Sequence, residues 1–327
     1  MEREQRLSLN RSKLRKILLK EDCQEIDSLI DTSGNGLRGS STLWVLADQE
    51  TPEETLGASL LELTAHENLH LVIYFENLQD AQTTQRRSNA LKPSPSIFFF
   101  SNEKVNQVEP ALFDERKFVE PPLPEFEELC LKFDLEKVYE FGTWSGEILG
   151  LEVLRVSDNE IQVGVGKLDR EANSLISRGK PVSDVLSSAV EIVRLSRNSE
   201  SSLHPLSRLV RERWLRADAV ANPREYGMES LILLEPLIER KSLRDSMPTA
   251  AMGFDEKGEK VLYVFSVGID IRLVPFIADL MLLELPDRVE VVIPNKDILV
   301  PIEKSLKFLN IPLTIRGVVG GWERSSV

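Results

Sequence analysis

The stretch VLYVFSVGIDIRLVPFIADLMLLELPDRVEVVIPNKDILVPIEKSLKFLNIPLTI, residues 261–315, decides the fold class. Val261 to Val267 is an apolar run of strand length, rich in β-branched and aromatic residues, and Val289 to Ile293 is a second. Between them Ile271 to Leu285 is long and apolar enough for a helix, with Asp270 placed to cap it. Leu299 to Leu309 reads as another helix and Leu313 to Ile315 as a further strand. A β-α-β-α-β run implies parallel strands joined by crossover helices. Ligands of such sheets sit beyond the carboxyl ends of the strands. Here those ends are Ser266 to Asp270, Pro294 to Asp297, and Arg316-Gly317.

Working back along the chain, Ile148 to Val156 and Ile161 to Gly166 flank the turn Ser157-Asp158-Asn159-Glu160, so they predict an antiparallel hairpin. A strand at Lys137 to Phe141 precedes it, after a helix near Glu125 to Phe133. Helices are expected at Arg170–Ser177, Val182–Arg197 and Leu206–Ala221. A strand follows at Leu231 to Leu234, then a hairpin closed by Asp255 to Gly258. Nearer the start, Thr42 to Ala47, Leu71 to Phe75 and Ile97 to Phe100 are three more apolar strands. A helix begins at Thr51-Pro52-Glu53-Glu54, with Thr as N-cap, Pro in the first turn and Glu reaching back. The fold class is therefore α/β. A small N-terminal parallel sheet with helices (1–113) is expected, then a Pro-rich linker (114–124). A mixed sheet with helices (125–327), built from the hairpin and the β-α-β-α-β unit, follows.

Composition narrows the function classes. The chain has 327 residues and a formal charge of −13, which argues against a general nucleic-acid coat. The two cysteines, Cys23 and Cys130, lie far apart, which excludes a disulfide scaffold and suits a reducing cytoplasm. No apolar stretch is long enough to span a membrane, and Met1 to Lys20 lacks the apolar core of a signal peptide. That segment instead holds seven basic and two acidic side chains around Leu7, Leu14, Ile17 and Leu18 at helical spacing. A solvated basic face is expected there, with a polyanion contact as the sharper option.

Several patterns carry chemistry. Gly34 to Gly39 (GNGLRG) matches GxGxxG, but it precedes a strand instead of following one, so a loop is expected and no cofactor is assigned. His66-Glu67-Asn68-Leu69-His70 matches HExxH. On a helix His66 and His70 would share a face and grip zinc, with Glu67 as general base, and Glu103 is the acid nearest to a third ligand. A zinc hydrolase is thus an alternative reading. A non-catalytic interaction protein is another.

The leading expectation concerns arginines. On a wheel of 206–221, Arg213 falls within the apolar face, and a buried guanidinium requires an anionic partner. Glu152, Asp169 or Glu171 could serve; so could a phosphate or carboxylate of a ligand. The candidate ligand-binding residues are Arg208, Arg211, Arg213, Arg216, Lys167 and Arg170, for a phosphorylated metabolite or nucleic acid. Gly164 and Gly166 share one strand face and would admit a ligand closely.

GEILGLEVLRV (146–156), VGVGKLDREA (163–172), HPLSRLVRERWLR (204–216) and FSVGIDIRLVPFIADL (265–280) resemble uncharacterised conserved proteins of actinobacterial type. The helix–meander–helix order also resembles the core of PD-(D/E)XK nucleases. That resemblance implies a metal-binding acid at Glu152, whereas Gly164 stands where the family places lysine.

Overall fold

The computed structural model describes residues 3–48, 50–66, 68–115, 119–121, 123–176, 179–198 and 204–323. The chain divides into two compact units. Unit 1 comprises 1–114, 271–285 and 299–313, and unit 2 comprises 115–270, 286–298 and 314–327. Segments 271–285 and 299–313, assigned from the sequence to the second domain, thus cluster with unit 1.

Unit 1 opens with α1 (Arg3–Lys20) and a six-stranded sheet. Its strands are β1 (Ile30–Asp31), β2 (Gly36–Arg38), β3 (Thr42–Leu46), β4 (His70–Phe75), β5 (Ser96–Ser101) and β6 (Lys104–Gln107), in that spatial order. The pairs β3–β4 and β4–β5 are parallel, and the remaining pairs are antiparallel. The sheet is therefore mixed, because hairpins flank the expected parallel strands. Half of the glycine-rich GNGLRG becomes β2, not loop. Its turn is held by Arg11, whose guanidinium donates to the Gly34 and Thr32 carbonyls.

Between the parallel strands run α2 (Pro52–Leu63) and α3 (Leu78–Ser88). The capping box on α2 forms as read: the Glu54 amide donates to Thr51 Oγ1 and the Thr51 amide to the Glu54 carboxylate. The helices α8 (Leu273–Glu284) and α9 (Val300–Leu306) belong to this unit too. Gly57 lets α2 approach the backbone of Ile271, where a Cβ would overlap the carbonyl oxygen. An ion cluster locks the helices: Arg87 and Arg86 donate to Asp279 at 2.8 and 2.9 Å, and Arg87 reaches Glu53 at 3.4 Å.

The basic helix α1 spends its charge inside unit 1. Leu14, Ile17 and Leu18 are fully buried against Leu46, Val72 and Tyr74. Arg6, Lys13 and Lys20 pair with Asp48, Glu76 and Glu103 at 2.8, 2.5 and 2.7 Å. Those acids follow β3, β4 and β5, so three cations seven residues apart serve three successive strand ends. Arg15 pairs with Asp31 at 2.5 Å.

Unit 2 holds two sheets. The first is antiparallel, in the order β10 (Glu160–Val163), β9 (Leu151–Ser157), β8 (Thr143–Ile148), β7 (Glu136–Glu140), preceded by α4 (Pro124–Phe133). It packs with α6 (Val182–Ser196) around Phe126, Leu151, Val153, Leu186 and Val193. The second sheet runs β11 (Ile232–Leu234), β12 (Thr249–Phe254), β13 (Lys260–Phe265), β14 (Arg288–Pro294), β15 (Leu313–Val318). β13 and β14 are parallel, as a crossover requires, whereas β11, β12 and β13 pair antiparallel. The hairpin and the β-α-β run thus lie in separate sheets. The remaining helices of unit 2 are α5 (Gly166–Ile176) and α7 (Arg211–Ala221).

Two local departures matter for the site. The predicted strand 148–156 is broken by a tight turn at Leu149-Gly150, both at positive φ, which separates β8 from β9. A Cβ on Gly150 would overlap the backbone of Arg213 and Trp214, so this turn seats directly under α7. The predicted helix 206–221 is also broken. A 3₁₀ turn covers Pro205–Arg208, Val210 takes the left-handed region at φ 37°, and α7 begins at Arg211. Among the described residues, no helix is long and apolar enough to cross a membrane.

Candidate functional site

α7 buries Glu212, Leu215, Arg216 and Ala219 on one face, with Trp214 covered separately. That face lies about 100° round the wheel from the stripe centred on Arg213. The reason is electrostatic. Arg216 is fully buried and reaches Glu147 at 3.1 Å, Glu140 at 3.9 Å and Glu136 at 4.0 Å. Arg213 is clasped by Glu147 and Glu140 together. The partners come from the β7–β8 hairpin, not from Glu152, Asp169 or Glu171. Glu147 is itself buried; burial alone would raise its pKa, but Arg213 and then Arg216 hold it below the usual carboxylate range. The same balance holds for Arg213: burial disfavours the charge, and Glu147 and Glu140 more than restore it, so its pKa is raised. Arg216 is therefore an internal ion, and it is not among the residues that line the cleft.

Arg197, just after α6, lies beside this network. It is buried and donates to the carbonyls of Leu149, Leu206 and Leu209, tying the Leu149 turn to the loop before α7. Burial pulls its pKa down to about 9, opposed by Glu147. Its guanidinium also lies 5.2 Å from the centre of the Trp214 ring.

Beside Arg213 opens a cleft of about 230 Å³, lying wholly within residues 140–249 of unit 2. Six cationic side chains line it, Arg155, Lys167, Arg170, Arg213, Arg240 and Lys241, against three carboxylates, Glu140, Glu152 and Glu239. Arg213 and Arg240 are also paired to Glu147 and Glu212 behind the wall, so the cations left to the cleft are Arg155, Lys167, Arg170 and Lys241, within a chain of charge −13. A second depression, of about 550 Å³, shares Arg155, Lys167 and Arg170 with it. At this seam Arg155 donates to Glu152 at 2.7 and 2.9 Å, and Arg170 also donates to Glu152. Two guanidiniums thus share one carboxylate. The hydrogen bond to Glu152 raises the pKa of Arg155, whereas burial lowers that of Arg170. Lys167 is exposed and lies 3.8 Å from Glu171.

α5 positions Arg170 by an unusual route. Its polar side faces the sheet: the Asp169 carboxylate accepts the Val165 amide at 2.7 Å, and Asn173 donates to the Val163 carbonyl at 3.1 Å. Its apolar residues Leu168, Leu175 and Ile176 face outward, Leu168 at 82% exposure. Gly164 and Gly166, at φ 141° and 77°, permit the close return of α5 onto β10. The space at Gly164 is filled by Asp169, Arg170 and Asn173 of α5, and that at Gly166 by Leu243.

The sequence-derived residues therefore separate. Lys167, Arg170 and Arg213 line the cleft. Arg208 is exposed and is not among the lining residues. Arg211 donates to the Trp322 carbonyl at 3.3 Å and also lies outside the lining. Arg240 and Lys241 carried no signal, because they sit in an irregular stretch whose place is set only by the tertiary fold. Arg155 did carry one: it is a charge that interrupts an apolar strand face.

The HENLH segment does not form the helical pair that zinc would need. α2 ends at Leu63, and His70 begins β4, so the two imidazoles leave on different elements. The His66 ring accepts from Arg38 at 2.8 Å, and His70 pairs with Ser96 Oγ at 2.8 Å. Glu67 lies outside the described residues, and Glu103 pairs with Lys20. Among the described residues, no group of three or more His, Cys, Asp or Glu side chains is placed to hold a metal ion.

Comparison with protein-family models, with curated proteins and with solved structures finds no match.

Proposed function

We propose that unit 2 binds a small anionic molecule, phosphorylated or carboxylated, in the 230 Å³ cleft, with its charged head against Arg155, Lys167 and Arg170. One observation carries this reading: Arg155 and Arg170 meet at the cleft wall with Glu152 alone between them. Each guanidinium keeps donors beyond those Glu152 uses, and a planar anion can accept them in pairs. The cleft volume lies below the ~300–1,000 Å³ of sites for drug-sized ligands, which favours a compact ligand over a polymer strand.

Thermal melting and calorimetric titration with inorganic phosphate test this. Free phosphate at about 100 times its dissociation constant stabilises the fold by about 2.7 kcal/mol. Arg170→Met and Lys167→Gln abolish or strongly weaken that response, and Arg208→Ala leaves it intact. Arg170→Met is expected to fold, because Arg155 still neutralises Glu152. No response to phosphate, pyrophosphate or simple carboxylates, or an equal response in Arg170→Met, overturns the reading. Steeply salt-dependent binding of a single-stranded oligonucleotide, without a phosphate response, would replace it with a nucleic-acid site.

A further inference from the structure

We infer that the ligand of this cleft is amphiphilic, an anionic head joined to a short apolar body; this rests on the anion reading above and goes beyond it. The same lining includes an apolar wall, interleaved with Glu239, Arg240 and Lys241. It is built from Pro236, Ile238, Leu243, Met247 and Pro248, of which Ile238 and Leu243 are partly exposed and the others buried, with Phe141 at the β7–β8 turn. The first five belong to residues 235–248, an irregular stretch between β11 and β12. Irregular segments of this length inside a compact unit usually serve a site.

The stretch is fixed at several points. Arg240 reaches inward to Glu212 and also donates to the Asp245 and Met247 carbonyls. The Glu235 carboxylate accepts the Phe141 amide at 2.8 Å. The Leu243 carbonyl accepts the Val210 amide at 3.2 Å, and Leu243 packs on the core beneath. The apolar wall is thus built in advance, so a ligand meets it without an ordering cost. Phe141 remains 43% exposed at the lip, a large ring left facing water beside a charged cleft. A bare phosphate would cover none of this surface. An anion carrying a few methylenes or a small ring would cover it while keeping its head at Arg155 and Arg170.

The test is a homologous series measured on the full chain: inorganic phosphate, then methyl, ethyl, butyl and hexyl phosphate, with hexanol as the neutral control. Affinity is expected to rise by up to about fourfold per methylene until the wall is covered. Phe141→Asn, a residue that tolerates the positive φ of this turn, and Ile238→Asn should keep phosphate binding and flatten the series. If inorganic phosphate binds and the alkyl phosphates bind no tighter, the apolar body is refuted and the anion reading stands. If hexanol binds as tightly as hexyl phosphate, the anion reading is refuted. If nothing in the series binds, both are refuted.

Discussion

Arg213 and Arg216 on α7 meet three glutamates of the β7–β8 hairpin, whereas Arg155 on β9 and Arg170 on α5 share Glu152. In the first group two guanidiniums meet three carboxylates, Glu136, Glu140 and Glu147, and each guanidinium has at least two of them within 4.0 Å. It is closed in that neither guanidinium lacks a pair of acids, although Arg213 and Glu140 also border the cleft, and it holds the hairpin and α7 together while Arg197 ties in the Leu149 turn. The second group has a spare cation and stands at a cleft wall. An arginine's role here follows from how many carboxylates the fold brings to it. Its place on a helical wheel does not decide the matter.

The sharpest way to break the contrast is to remove one carboxylate from each group. Glu147→Gln leaves Arg213 and Arg216 short of their shared partner in a buried site. Uncompensated buried charge costs about 3–5 kcal/mol, so the urea midpoint should fall steeply. A loss below about 1 kcal/mol would show that water reaches the network and that it is not closed. Glu152→Gln, by contrast, should cost about 1 kcal/mol or less, because Arg155 and Arg170 lie partly open to the clefts. It should also tighten phosphate binding, since the anion no longer competes with Glu152. Weaker phosphate binding in this variant would mean that Glu152 orients the arginines for the ligand.

The parallel-strand run at 261–293 was legible because strands buried on both faces read as unbroken apolar runs. The α7 region was not. Leu209 and Val210 continue the apolar pattern, and no Gly or Pro marks the break that the left-handed Val210 makes. The wheel then chose the wrong phase, since the buried face carries an ion pair network in place of hydrocarbon. β8 was missed for a related reason. Thr143-Trp144-Ser145-Gly146-Glu147-Ile148 is half polar, and its buried positions include Ser145 and Glu147. The clefts were legible only in part: Lys167 and Arg170 could be named, but α5 presents its apolar side outward, which inverts the rule by which a helix is oriented from sequence.

Within the closed group, Glu136 supplies the finest test. Its Oε2 is buried without a hydrogen bond, and Arg216 lies 4.0 Å away. Burial holds its pKa above the ordinary 4.5, a tendency that Arg216 and Arg213 oppose and that Glu147 and Glu140 reinforce. In the window between 4.5 and that raised value the folded protein binds more protons at Glu136 than the unfolded chain, so this group lowers stability as pH rises. Glu147 has the opposite sign. Its lowered pKa contributes stability that is present above 4.5 and is lost as pH falls through its folded value. Urea midpoints measured from pH 7 down to pH 3 should therefore show a small gain attributable to Glu136 before the acid loss sets in. Glu136→Gln should remove that gain, leave the acid limb in place, and change stability at pH 7 little. If wild type and Glu136→Gln give parallel profiles across the window, the Glu136 proton is not linked to folding. The hairpin end of the network would then be wet, and the boundary between closed and open arginines would run through the first group, no longer between the two.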